Sequence, residues 1–164
     1  SKVADGKGFE AHRVQWRTFG DCYGRGLLLL PVNDHGQPRK PLAQVIAVPD
    51  CEVTPEQLAG LQAGVKPNSQ YARLLAENGF LVVVPHLVNR SERMPKLSNR
   101  EWLYRSAFEL GRGMMAYEIQ ELQALVQWMT PHKGSKGSIG MVGWGEGGLL
   151  ALYTSALDTN IDAT

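Results

Sequence analysis

The chain has 164 residues, 17 Lys+Arg against 16 Asp+Glu, and 43% hydrophobic residues. That length suits one domain with a buried core, and the apolar share excludes intrinsic disorder. A formal charge of +1 excludes nucleic-acid binding driven by bulk charge, two cysteines cannot build a disulfide framework, and no apolar run approaches the roughly 20 residues that span a bilayer.

Residues 1–12 are mostly small or polar and read as a flexible N-terminus. They show no apolar core of a signal peptide, and the compartment is left open. The domain is read over 13–164. In 13–19, Val14, Trp16 and Thr18 alternate with Arg13, Gln15 and Arg17, the pattern of a half-buried strand near a sheet edge. Gly20-Asp21-Cys22-Tyr23-Gly24 follows as a hairpin loop, and 26–32 is a second, more apolar strand. Residues 33–41 read as an exposed loop, and 42–48 as a continuous apolar strand ending at Pro49-Asp50.

Thr54-Pro55-Glu56-Gln57 has the form of a helix start, with Thr54 as cap, Pro55 at the first position and Gln57 closing a capping box. A further helix is predicted over 69–78, with Tyr71, Leu74 and Leu75 inward and Gly79 ending it. Phe80-Leu81-Val82-Val83-Val84 has no alternation, which places it inside a sheet covered on both faces. Residues 86–99 read as a polar loop. The run 101–128 is helical by its periodicity and is split at Gly111 and Gly113. A turn at 131–137, a short buried strand at 138–142 and a helix at 149–157 follow, and 158–164 reads as a turn leading toward another strand. Crossover helices between strands require parallel pairing with right-handed connections. The expected fold is therefore an α/β three-layer sandwich, a mostly parallel sheet with an N-terminal antiparallel hairpin.

The chemistry turns on Gly143-Trp144-Gly145-Glu146-Gly147-Gly148, between a strand and a helix. Gly143, Gly145 and Gly148 satisfy the dinucleotide spacing G-x-G-x-x-G. The cluster also fits a nucleophile elbow, G-x-nucleophile-x-G, with Gly145 in the nucleophile's place. A dinucleotide fingerprint belongs to the first strand-helix turn, with an acidic residue about 20 positions on. This cluster follows four or five strands, so the elbow is the preferred reading.

These residues, with 111–118, the helix running to Trp128, the strand 138–142, the segment 156–163 and the strand endings Val48-Pro49-Asp50 and Val84-Pro85, resemble the dienelactone hydrolase and acetylxylan-esterase-like group of α/β-hydrolases. The resemblance runs from about residue 13 to the end. It implies a carboxylic ester hydrolase acting on a small-molecule or carbohydrate ester, without a cofactor, a metal, a nucleic-acid partner or a membrane. It also implies a Ser or Cys where Gly145 stands, and an acid and a histidine on later strands. The chain is expected to be the N-terminal part of a hydrolase domain, its remaining strands supplied by more chain or another polypeptide, and its edge at 138–142 open.

The candidate site residues are the vacant position Gly145 with Glu146, His86 and Cys51 for catalysis, and Asp50, Cys51, Glu146 and Trp144 for substrate or oxyanion binding. The N–H of Glu146 opens a helix and can donate to an oxyanion, with a second donor expected from the 50–51 loop. Cys51 is read either as a displaced nucleophile with His86 as base or as a small loop residue. Glu146 is read as a new acid or base, or as a carboxylate suiting the helix dipole, the second being preferred. Arg90, Arg93 and Arg100 are expected on a solvated face, and Trp144 over the helix start. Gly145→Ser is expected to be accommodated without creating fast turnover. A catalytically inactive binding or structural protein and a dinucleotide-binding domain are the alternatives.

Overall fold

The computed structural model describes residues 1–132 and 137–164, except the His132 side chain. A six-stranded sheet is built from β1 (Lys2–Gly6), β2 (Phe9–Phe19), β3 (Cys22–Pro31), β4 (Gln44–Val48), β5 (Leu81–Pro85) and, last in sequence, a strand at Ile139–Gly143. Between the last two, Glu92–Met94 (β6) and Leu97–Ser98 (β7) form a separate two-stranded hairpin, so Ile139–Gly143 is β8. The spatial order is β1-β2-β3-β5-β4-β8. Strands β1, β2, β3 and β5 pair antiparallel, and β4 pairs parallel with β5 and with β8.

Helices α1 (Pro55–Leu58) and α2 (Tyr71–Glu77) cover one face, and α4 (Met114–Met129) and α5 (Glu146–Leu157) the other, with α3 (Asn99–Glu109) leading into α4. Alternation along β4 sends Ile46 and Val48 to the α4–α5 layer and Ala47 to the α1–α2 layer; Val83 and its neighbours Val82 and Val84 divide in the same way. Apolar side chains on both faces are what a doubly covered strand requires. The three-layer sandwich expected from the sequence is the observed architecture. The Thr54–Gln57 capping box is formed in both directions, at 3.2 and 3.0 Å.

Four features differ from the sequence reading. Residues 1–12 are not a loose tail: they supply β1 and the start of β2, and Phe9 and Ala11 are fully buried. The antiparallel part is consequently larger than one hairpin. Within 86–99, expected as loop, lies the β6–β7 hairpin, closed by Lys96 in the left-handed region. The edge at β8 is partly occupied, because Ala163 bridges Gly140, Met141 donates to the Ala163 carbonyl and Asp162 donates to the Ile139 carbonyl. The turn at 131–137 lies largely outside the described residues.

Candidate active site

Strand β8 delivers the chain to the carboxyl rim of the sheet at Gly143, and α5 leaves from Glu146. Gly145 makes the turn with φ 60° and ψ −128°, a conformation costly for any residue with a Cβ. The flanking glycines are required by contact: a Cβ on Gly143 would strike the Gly147 carbonyl, and one on Gly147 would strike the carbonyls of Val48 and Pro49. The first turn of α5 therefore lies directly against the end of β4. This is elbow geometry, with residue 145 at its apex.

The same closeness brings the end of β4 to that apex. A Cβ built on Gly145 would collide with Oδ2 of Asp50. That oxygen accepts the Glu146 N–H at 3.1 Å, and Oδ1 accepts the Glu52 N–H at 3.1 Å. Burial pushes the Asp50 carboxyl up, but the N–H groups of Glu52 and Glu146, the Cys51 thiol and the charge of Arg90 outweigh it and hold the group below its ordinary range. The 50–51 loop, expected to bring a second oxyanion donor, also places an acceptor side chain, the Asp50 carboxylate, at the elbow. Gly145→Ser, expected to be accommodated, would place its Cβ at a positive φ and require the Asp50 carboxylate to move aside.

Cys51 is buried, and its Sγ accepts from Nη1 of Arg90 at 2.8 Å. Burial, then the Glu146 carboxylate, push its thiol up to about 12, the opposite of an activated thiolate. His86 is exposed and shares a cavity of about 340 Å³ with Cys51. No hydrogen bond joins the two, so the proposed Cys51–His86 pair is not assembled here. Trp144 does not pack over the helix start; it is 77% exposed and borders a separate cavity of about 370 Å³ with Asp50, Leu58 and Tyr71. Tyr71 donates to the Val48 carbonyl at 2.7 Å, and burial raises its hydroxyl well above the usual range.

The arginines are the largest correction. Arg90 reaches Oε2 of Glu146 at 2.9 Å, and Arg100 reaches its Oε1 at 3.3 Å. The Arg100 side chain is 13% exposed and clasps Glu118, 5% exposed, through two bonds of 2.7 and 3.0 Å. Burial alone would weaken the Arg100 charge; the Glu118 carboxylate outweighs it. Arg93 lies over the Trp102 ring at 4.2 Å. Sequence reasoning missed this network because residues 90, 100, 118 and 146 come from four separate segments, and nothing in their local patterns joins them. Glu146 and the two arginines border a cavity of about 630 Å³. The ligating atoms of Asp50, Cys51 and Glu146 lie within 4.8 Å of one another, a spacing a metal ion can use. Two guanidinium groups already compensate the charge there and disfavour a cation.

A mixed sheet flanked by helices on both faces, with a glycine elbow at the carboxyl rim of its parallel strands, defines an α/β-hydrolase fold. The dienelactone hydrolase family matches residues 53–164, most of the chain, and the chain belongs to that family. No curated protein matches the sequence. Among solved structures, a putative acetyl xylan esterase from Bacteroides fragilis is 21% identical, with a TM-score of 0.76 over 98% of this chain and 45% of that one. A cold-adapted esterase from an Arctic intertidal metagenomic library is 14% identical, with a TM-score of 0.63 over 99% of this chain and 60% of that one. Brefeldin A esterase, a bacterial homologue of human hormone sensitive lipase, is 16% identical, with a TM-score of 0.62 over 99% of this chain and 41% of that one. The chain thus spans less than two thirds of each of these proteins.

Proposed function

We propose that this chain is the elbow-bearing part of a carboxylic ester hydrolase of the acetylxylan-esterase or dienelactone-hydrolase type, acting on a small-molecule or carbohydrate ester, in which Asp50 takes over from the absent side chain at residue 145. The remaining strands come from further chain or a second polypeptide. The observation that carries the reading is the Asp50 oxygen lying where a Cβ of residue 145 would be, against the N–H of Glu146.

Glycine cannot form an acyl intermediate, so attack passes to water. The ester carbonyl displaces Oδ2 from the Glu146 N–H, which then holds the oxyanion. Asp50, still anchored by Glu52, takes a proton from water as the new C–O bond forms. It returns that proton to the departing alkoxide as the ester C–O bond breaks.

The test is p-nitrophenyl acetate hydrolysis by the complete protein. Turnover without a burst is expected, with kcat/KM falling about 100-fold or more in Asp50→Asn. Undiminished activity in Asp50→Asn, or an acyl group on Cys51, would overturn it. The second reading, a binding protein without turnover, is favoured by the same contact, since Asp50 occupies the oxyanion donor; saturable ester binding with no hydrolysis would establish it. The dinucleotide reading through Gly143, Gly145 and Gly148 meets an obstacle: Asp50 and Glu146 set two carboxylates where a pyrophosphate would lie.

A further inference from the structure

Beside Glu118, between the end of β2 and helices α3 and α4, lies a fourth cavity, of about 360 Å³. Its wall is mainly apolar, with Phe19, Leu103, Leu110 and Tyr117 prominent, and its volume falls in the range of small-molecule sites. Of the polar groups that line it, Ser106 donates to the Trp102 carbonyl and Glu118 is held by Arg100, but two others stand open. The Thr18 hydroxyl is buried with no hydrogen-bond partner. The Glu121 carboxyl has neither a hydrogen-bond nor an ion-pair partner among the described residues. A native fold normally satisfies such groups, so two left open on one apolar cavity mark a place for a ligand.

We propose that this cavity is a binding site for a small apolar amine, whose ammonium pairs with Glu121 and donates to Thr18 while its hydrocarbon part fills the space between β2, α3 and α4. The charge acting on Glu121 is that of another carboxylate, Glu118, so a cationic head group is favoured over a neutral one. An ammonium supplies three donors, which suits a carboxylate and a hydroxyl oxygen together. The site makes no use of the elbow and does not depend on the ester chemistry proposed there.

Phenethylamine is the probe, with 2-phenylethanol as its uncharged counterpart, followed by amide chemical shifts. Saturable shifts at Thr18, Leu103 and Leu110 are expected, without shifts at Glu146. Affinity should fall about tenfold or more for 2-phenylethanol and for Glu121→Gln. Leu103→Trp, which fills the cavity and leaves the carboxyl in place, should abolish binding. The proposal is overturned by no saturable shift up to about 10 mM, by equal affinity in Glu121→Gln, or by binding that survives Leu103→Trp.

Discussion

Oδ2 of Asp50 and the backbone N–H of Glu146 lie 3.1 Å apart although 96 positions separate the two residues. The contact joins the loop after β4 to the start of α5 and puts a carboxylate at the helix N-terminus, where the dipole and an unpaired N–H both favour negative charge. It also fills the position that a side chain on residue 145 would need.

Gly145→Ser should therefore destabilise the protein by about 1–3 kcal/mol, from the left-handed φ and from expulsion of Asp50. Asp50→Ala removes the obstacle. In urea unfolding, the double variant should lose less than the sum of the single losses, with a coupling of about 1 kcal/mol or more. Strict additivity would mean that the two residues do not compete for space.

Arg100 and Glu118 form the most buried ion pair of the site. Arg100→Met leaves the Glu118 carboxylate without its partner and should cost about 3–5 kcal/mol, whereas Arg100→Met with Glu118→Leu should recover most of that loss. Thermal unfolding of the two variants checks this. An Arg100→Met protein as stable as the parent would show the pair to be solvated.

Glu121 carries a pH signature. Burial first, and then the Glu118 charge, push its carboxyl up to about 7 from 4.5. A folded-state value above the unfolded one means that folding favours the protonated form. Its contribution is thus complete below about 4.5 and is lost as pH rises through about 7, with a total of about 3 kcal/mol. Denaturant unfolding between pH 5 and 8 should show this fall, and Glu121→Gln should remove it.

The parallel core, the split of 101–128 into two helices and the elbow were legible because each is written locally, in apolar runs, glycine breaks and the 143–148 cluster. Within that cluster, the contacts that exclude a Cβ at Gly143 and Gly147 are with each other and with the carbonyls of Val48 and Pro49. Strand β1 was not legible: Lys2-Val3-Ala4-Asp5-Gly6 is a short edge strand held by pairing with β2, and edge strands lack the apolar alternation that announces buried ones. Asp50 was marked as a site residue, but its occupation of the elbow was not foreseen. The approach of the two segments depends on β4 and β8 being neighbours in the sheet, an order that local sequence does not contain.

The most direct measurement is the Glu146 amide resonance, followed by NMR as Asp50 is titrated and replaced. An N–H bound to a carboxylate should resonate downfield at neutral pH and move upfield as pH drops below 3.8, through the lowered folded-state value of Asp50. The pH dependence should vanish in Asp50→Ala. A Glu146 amide indifferent to both acid and the substitution would contradict the claim that Asp50 fills the elbow.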